Sequence, residues 1–351
     1  MSARHDPTIE STDDTDRPLL EIRDVSVEYR RRRDRLVAVD GVSLEVARGR
    51  TLGLVGESGS GKSTIGSAIL GLVAPSDGEL RFDGEVLSRR RRTERVELSR
   101  RIQAVFQDPY GSMNPTQRIG TALAEPLKYS LRLGRDEIEQ RVARVLADVG
   151  MDADVVDRYP AQFSGGQLQR LAIARALAVE PEFIVCDEAV SALDLSVQAQ
   201  VVNLFAGLAA ARGLSYLFIS HDLTVVAHLS DDIVVLFAGQ VMEHGPAEVV
   251  ARRPGHPYTQ NLVLSAPVPD AEQQALRRRS RVARAALHGA VRGVDPRSLV
   301  GCPYAARCPL AIGICATERP PLLERDTGVS VACHRYGEIV DPPEEAVDHA
   351  D

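Results

Sequence analysis

Residues Gly56-Glu57-Ser58-Gly59-Ser60-Gly61-Lys62-Ser63-Thr64 decide how the rest of the chain is read. They fit G-x-x-x-x-G-K-[ST], the phosphate-binding loop (P-loop). Thr51-Leu52-Gly53-Leu54-Val55 before them is short, apolar and strand-like, and Ile65 to Leu70 after them reads as a short helix stopped at Gly71. Gly56, Gly59 and Gly61 let the backbone curl until successive N–H groups surround a phosphate, while the helix that follows turns the positive end of its dipole toward the same anion. Lys62 is expected to reach the β- and γ-phosphates and Ser63 to offer a hydroxyl to Mg²⁺, with Ser58, Ser60 and Thr64 completing the nucleotide-binding set. A Gly/Ser-rich turn that binds nothing is the competing reading. Against it, Lys62 and Lys128 are the only lysines in a chain whose positive charge is otherwise arginine. A compact ammonium suits this pocket where a planar guanidinium does not.

At 351 residues the chain has room for one large or two modest domains, and 44% apolar content is ample for a core. A net charge of −7 and a pI near 5.7 argue against a general nucleic-acid binder, and the arginine runs Arg30 to Arg33 and Arg89 to Arg92 read as solvated loops or hairpin faces. No stretch reaches the roughly eighteen consecutive apolar residues that span a bilayer, and Met1 to Pro18 is acidic rather than basic-then-apolar. A cytoplasmic location is the expectation. Residues 1–18 and the acidic 341–351 read as tails, the first of them disordered.

Order is expected from Leu19. Leu20 to Tyr29 alternates in the manner of a half-exposed strand, Val37 to Val46 gives another, and Gly78 to Val86 reads as a small hairpin. Ile102 to Phe106 is a buried-type strand ending at Gln107-Asp108-Pro109-Tyr110. Ile138, Val142, Val145, Leu146 and Val149 then form a helical stripe. Phe163-Ser164-Gly165-Gly166-Gln167 precedes a second helix. Ser164 is a good N-cap, and the two glycines make another place where backbone N–H groups face an anion.

Phe183-Ile184-Val185-Cys186 delivers Asp187 and Glu188 at the C-terminal end of a buried strand, the edge where ligands bind in open α/β sheets. Asp187 is placed to hold Mg²⁺ and Glu188 to take a proton from an attacking water. Cys186 reads as a small core hydrophobe. Asp194 leads into an amphipathic helix closed by Gly213, and the next strand ends at Ser220-His221-Asp222, which puts His221 on the same nucleotide edge.

In this order the motifs resemble the ATP-binding subunit of an ABC transporter, from about Leu19 to the C-terminal cysteines. Gly56 to Thr64 looks like Walker A, Gln107 the Q-loop glutamine, and Ser164 to Gln167 (with Gly166) the signature. Asp187 and Glu188 look like the Walker B pair, Asp194 the D-loop aspartate, His221 the switch histidine and Tyr29 the adenine-stacking position. The implied fold is an α/β P-loop nucleotide-binding domain over 19–262, with a RecA-like core, an antiparallel β subdomain and a helical subdomain at about 108–165. A C-terminal extension over 263–340 follows.

The resemblance implies head-to-tail pairing of two such domains, each ATP lying between one P-loop and the other's signature, with Gln107, Glu188 and His221 catalytic and Ser63, Gln107 and Asp187 around Mg²⁺. It also implies two transmembrane permease partners, an extracytoplasmic solute-binding protein and a peripheral place on the cytoplasmic membrane face. Gln107 to Pro115, His256-Pro257-Tyr258-Thr259 and the cysteine tail look like the oligopeptide, dipeptide and nickel importer branch, hence peptide import, or nickel or another small solute by the same machinery. A soluble ABC clamp in translation or DNA repair is the rival; the single cassette and the lack of sustained heptads disfavour it. The sequence departs from the family pattern at Ala189-Val190, where Pro-Thr is usual, and at Phe163, where Leu is commoner.

Cys302, Cys308, Cys315 and Cys333 are spaced C-x5-C-x6-C-x17-C. Four thiolates suit a zinc ion or a [4Fe–4S] cluster, and free thiols are the third alternative; the short zinc spacing of two to four residues is absent. The resemblance favours the cluster.

Overall fold

The structure, a computed structural model, describes residues 17–31, 34–87, 92–266, 274–276, 278, 295–325 and 328–336. Residues 1–16 of the tail expected at 1–18, the whole of that at 341–351, and most of 267–294 lie outside the described residues, as do parts of both arginine runs.

The P-loop strand β3 (Thr51–Val55) stands in the middle of an eight-stranded sheet and is buried along its whole length. With β6 (Ile102–Phe106), β7 (Phe183–Asp187), β8 (Ser215–Ser220) and β9 (Asp232–Phe237) it forms a parallel block in the order β9-β3-β8-β7-β6. The runs are apolar without alternation because both faces are covered. On β7, Phe183 and Val185 enter one core with α1 (Lys62–Ile69) and an antiparallel sheet; Ile184 and Cys186 enter the other, with α5 (Gly165–Leu177) and α6 (Leu195–Arg212).

That antiparallel sheet has the order β2-β1-β4-β5, from β1 (Leu20–Arg31), β2 (Asp34–Val46), β4 (Asp77–Phe82) and β5 (Glu85–Val86). The hairpin expected at Gly78 to Val86 is therefore only its margin, since β4 also pairs with β1 from Leu20↔Phe82 to Ser26↔Asp77.

Two helices carry no sequence signature. Helix α2 (Arg92–Arg101) begins inside the second arginine run, read above as a loop or hairpin face, and exposes Val96 and Glu97 while Leu98 enters a core cluster. Helix α3 (Ile119–Pro126) continues into one π-type turn at Leu127–Leu131, its run interrupted by Pro126. With α4 (Arg135–Asp148), whose apolar stripe was legible, α3 packs into the helical segment between β6 and α5.

Beyond β8 come α7 (Leu223–Leu229), β10 (Gln240–Pro246) antiparallel to β9, α8 (Ala247–Arg252) and α9 (Pro257–Ser265). The cysteine-bearing segment, with α10 (Gly313–Thr317), β11 (Leu323–Glu324) and β12 (Ser330–Val331), does not stand apart. Strand β12 pairs with β10 at Glu243↔Val331 and His244↔Ser330, so the extension lengthens the main sheet.

Candidate nucleotide site and its surroundings

Parallel strands in register deliver their following residues to one edge. Phe106 of β6 is level with Asp187, Asp187 with Ile219, and Ser220 with Val55, so Gln107, Asp187-Glu188, His221 and the P-loop all leave the sheet at the same end. The loop needs its glycines sterically. A side chain at Gly56 would meet the Leu236 carbonyl at 2.1 Å, and one at Gly61, whose φ is +107°, would meet that of Ala38 at 2.5 Å.

Lys62 is buried, and its Nζ donates to the carbonyls of Gly56 at 2.7 Å and Glu57 at 2.9 Å, with Ser60 Oγ at 3.5 Å. Burial lowers its pKa, opposed by the charges of Glu188, Asp187 and Glu57. Ser58, Gly59 and Ser63 are exposed at the loop surface, while Thr64 takes a 3.5 Å contact from the Tyr29 hydroxyl. Tyr29 thus stands over the start of α1, 37% exposed.

Ser63 Oγ donates to Asp187 Oδ1 at 3.0 Å. Burial pushes the Asp187 carboxyl above its ordinary pKa and Glu188 adds to this, against the Ser63 hydrogen bond and Lys62. Glu188 occupies a left-handed backbone conformation, φ +50°, held by its N–H to the Ile219 carbonyl at 2.9 Å. That geometry sets its carboxylate 3.6 Å from His221 Nδ1. Gln107 is exposed directly after β6. Ala189 and Val190, the departures from the Pro-Thr pattern, are buried in the core beside α5 and α6.

The signature residues sit elsewhere. Ser164 caps α5 in a reciprocal box: its N–H donates to Gln167 Oε1 at 3.0 Å, and its Oγ accepts from Gln167 N–H at 3.4 Å. Both are exposed. Gly166 is pressed against α6, and Gly165 faces Leu193; Asp194 caps α6 by accepting from Val197 N–H at 3.0 Å and Ser196 Oγ at 2.8 Å. These backbone and hydroxyl donors hold the Asp194 carboxyl below its usual pKa. Ser164, Gln167 and Asp194 are thus exposed at the N-terminal ends of α5 and α6, which meet at Gly166 and Val197, whereas Ser63, Asp187, Glu188 and His221 gather with the buried Lys62 at the sheet edge.

Sequence reading missed the underside of the P-loop. Glu57 N–H donates to the hydroxyl of the fully buried Tyr258 at 2.8 Å, and the Glu57 carboxylate is gripped by both terminal nitrogens of Arg307 at 2.8 and 2.6 Å. Separations of 201 and 250 residues left no local signal for either contact.

The four cysteines line one small cavity with His256 and His334. Burial is the first cause of the raised thiol pKa values, to about 11 at Cys302 and about 12 at Cys308, with Cys333 also raised. Among the described residues no group of three or more His, Cys, Asp or Glu side chains is arranged to hold a metal ion. None of the helices among the described residues is long and apolar enough to cross a membrane.

Comparison with known proteins agrees with the geometry. The ABC transporter family matches residues 39–191, and the family described as oligopeptide/dipeptide transporter, C-terminal region, matches 242–315. A Brucella ovis chain provisionally named a peptide import ATP-binding protein is 44% identical over 92% of this chain and 99% of its own length. A Brucella abortus chain of the same provisional name is 45% identical over 94% of each. Among solved structures, cbiO1 from Clostridium perfringens, part of an ABC transporter complex, superposes with TM-score 0.61 at 26% identity over 66% of this chain and 90% of that one. The dimeric ATP-binding cassette MJ0796 bound to ADP and phosphate gives 0.60 at 28% over 65% and 98%. The chain belongs to the ABC transporter family, as an ATP-hydrolysing, ATP-binding subunit of its oligopeptide/dipeptide branch.

Proposed function

We propose that the chain powers import of small peptides by hydrolysing ATP at a site it only half supplies. The observation that carries this is the split just described. Phosphate-binding, acidic and histidine groups converge at one sheet edge, while Ser164, Gln167 and Asp194 stand exposed at the N-terminal ends of α5 and α6, with Gly166 buried beneath them, suited to the ATP of a second cassette. Head-to-tail pairing, with a homologous subunit or a second copy, completes both sites.

In this reading Lys62 and the N–H groups from Gly56 to Thr64 hold the phosphates, and Tyr29 flanks the base. The hydroxyl of Ser63 against the carboxylate of Asp187 is a hard oxygen donor pair of the kind that takes Mg²⁺, with Gln107 at the same edge. Mg²⁺ bound there neutralises charge on the phosphates. Glu188 accepts the proton of the attacking water, and His221, 3.6 Å away, orients Glu188 and the γ-phosphate. Replacing Glu188 with Gln is expected to leave ATP binding intact while turnover falls by about two orders of magnitude or more; unchanged turnover rejects the assignment.

Peptide as cargo rests on the branch and on the provisional names of the Brucella relatives. A groove of about 1000 Å³ between α3 and α4, lined by Gln117, Thr121, Lys128, Tyr129 and Ile138, offers a seat for a membrane permease at the cytoplasmic face. An extracytoplasmic binding protein then delivers the peptide. Stimulation of the reconstituted complex's ATPase by peptide-loaded binding protein tests the cargo; stimulation only by nickel or another solute redirects it.

For the cysteines, we favour a [4Fe–4S] cluster held by Cys302, Cys308, Cys315 and Cys333. The four cysteines line one cavity and so offer the four thiolates that such a group takes, and the resemblance to the importer branch is what favours the cluster over zinc. Such a cluster braces the extension. Anaerobically purified protein that is colourless and carries one zinc per chain defeats this assignment.

A further inference from the structure

Glu57 is an awkward residue to find in a phosphate-binding loop. Its carboxylate lies close enough to Lys62 to act on that ammonium's charge, so unpaired it competes with the phosphates for the lysine and repels the triphosphate. Every polar group of Glu57 is nevertheless committed. Its carbonyl accepts from Lys62 Nζ at 2.9 Å and from Ser60 N–H at 3.1 Å, its N–H donates to Tyr258 Oη at 2.8 Å, and its two carboxylate oxygens take the fork of Arg307 at 2.6 and 2.8 Å.

Arg307 comes from the far end of the chain and is held firmly. It closes the 3₁₀ turn Ala305–Arg307, with its N–H on the Tyr304 carbonyl at 2.9 Å, immediately before Cys308. Its guanidinium lies 5.4 Å from the ring centre of Phe237 and 5.6 Å from that of Tyr304. Tyr304, Tyr258 and Phe237 pack on one another at 4.6 to 5.3 Å between centroids, so the ring that receives the Glu57 N–H and the rings under Arg307 form one cluster. The turn is tied in turn to the rest of the cysteine segment by Cys302 N–H on the Cys315 carbonyl at 2.8 Å. A second arginine of the extension, Arg297, donates to the Gly59 carbonyl of the same loop.

We propose that Arg307 is a positioning residue for nucleotide binding: it neutralises and fixes Glu57, so that the P-loop's affinity for ATP depends on the placement of the cysteine-bearing segment next to it. The inference rests on Gly56 to Thr64 being the ATP loop of this chain. Both side chains are partly exposed, at 44% and 39%, so solvent screens the pair and its effect is moderate and salt-dependent.

The test is ATP affinity of the full chain by fluorescence or calorimetry at low salt, with thermal unfolding run in parallel. Arg307→Ala is expected to weaken ATP binding about two- to fivefold, with less loss at high salt, and Arg307→Lys to retain part of the affinity. Adding Glu57→Gln to Arg307→Ala is expected to restore affinity, because the carboxylate that needed neutralising is gone; a purely structural role for Arg307 gives no such rescue. Unchanged affinity in Arg307→Ala, or a loss that Glu57→Gln fails to repair, overturns the proposal. Lys62→Ala is the control: retained ATP binding there refutes the P-loop assignment itself and removes the ground of the inference.

Discussion

The contact between α5 and α6 yields a prediction whose sign reverses with background. A methyl group at Gly166 would stand 2.3 Å from Val197 Cγ1, a distance no real contact adopts, with Val197 Cβ and Cγ2 farther away at 3.6 and 3.7 Å. Val197 lies on α6, where a β-branched side chain has one strongly preferred rotamer and cannot swing clear. Overpacking of this kind costs about 1–3 kcal/mol. Against it, alanine for glycine inside a helix gains about 0.5–1 kcal/mol. Gly166→Ala alone is thus destabilising by about 1 kcal/mol, or a Tm lower by about 2–4 °C for a domain of this size.

In a Val197→Ala chain the obstructing methyl is absent while the helix gain remains, so the same substitution raises Tm by about 1–3 °C. Calorimetry on the four chains of the cycle measures both effects and their coupling. Gly166→Ala shifting Tm in the same direction in both backgrounds refutes the reasoning. Because α5 carries Ser164 at its cap, Gly166→Ala is also expected to lower assembled ATPase activity more than single-chain ATP affinity.

Glu243 is fully buried on β10, and burial raises its pKa from 4.5 to about 7 despite the N–H groups of Gly255 at 2.7 Å and His256 at 2.9 Å donating to it. The folded state therefore holds a proton that the unfolded chain releases, and stability from this group is full below pH 4.5 and lost as pH rises to about 7, by about 3 kcal/mol at 1.36 kcal/mol per pH unit. Glu243→Gln should flatten that decline, seen as a Tm difference from the parent that moves in the variant's favour between pH 5 and 7; a difference constant with pH refutes it. Asp187→Asn, removing the carboxylate that accepts from Ser63, should raise the Mg²⁺ concentration for half-maximal ATPase about tenfold or more while metal-free ATP binding stays within twofold. An unshifted Mg²⁺ curve contradicts the assignment.

What could be read from the chain was local. Gly56 to Thr64, Phe183 to Glu188 and Ser164 to Gln167 announce themselves because their chemistry needs neighbouring residues in fixed order. The parallel block then follows, since buried strands each ending in a polar residue leave one edge for all of them. Helix α2 was hidden because an arginine-rich segment whose apolar residues are Val96 and Leu98 has no stripe, and α3 because Pro115 and Pro126 bracket it. The pairing of β12 with β10 involves two residues on each strand, too few to leave a pattern. Arg307 on Glu57 joins residues whose side-chain types are unremarkable where they stand, and only the fold brings them within 3 Å.

The central claim is that the P-loop of this chain is half of a catalytic site. The most direct measurement is specific ATPase activity against protein concentration, for the chain alone and with the second ATP-binding subunit, alongside the oligomeric state by light scattering. Activity per chain that rises with concentration or on adding the partner, tracks the dimer fraction, and vanishes at dilutions where ATP is still bound is the predicted result. Full turnover by a strictly monomeric chain, constant per molecule across the dilution series, contradicts it.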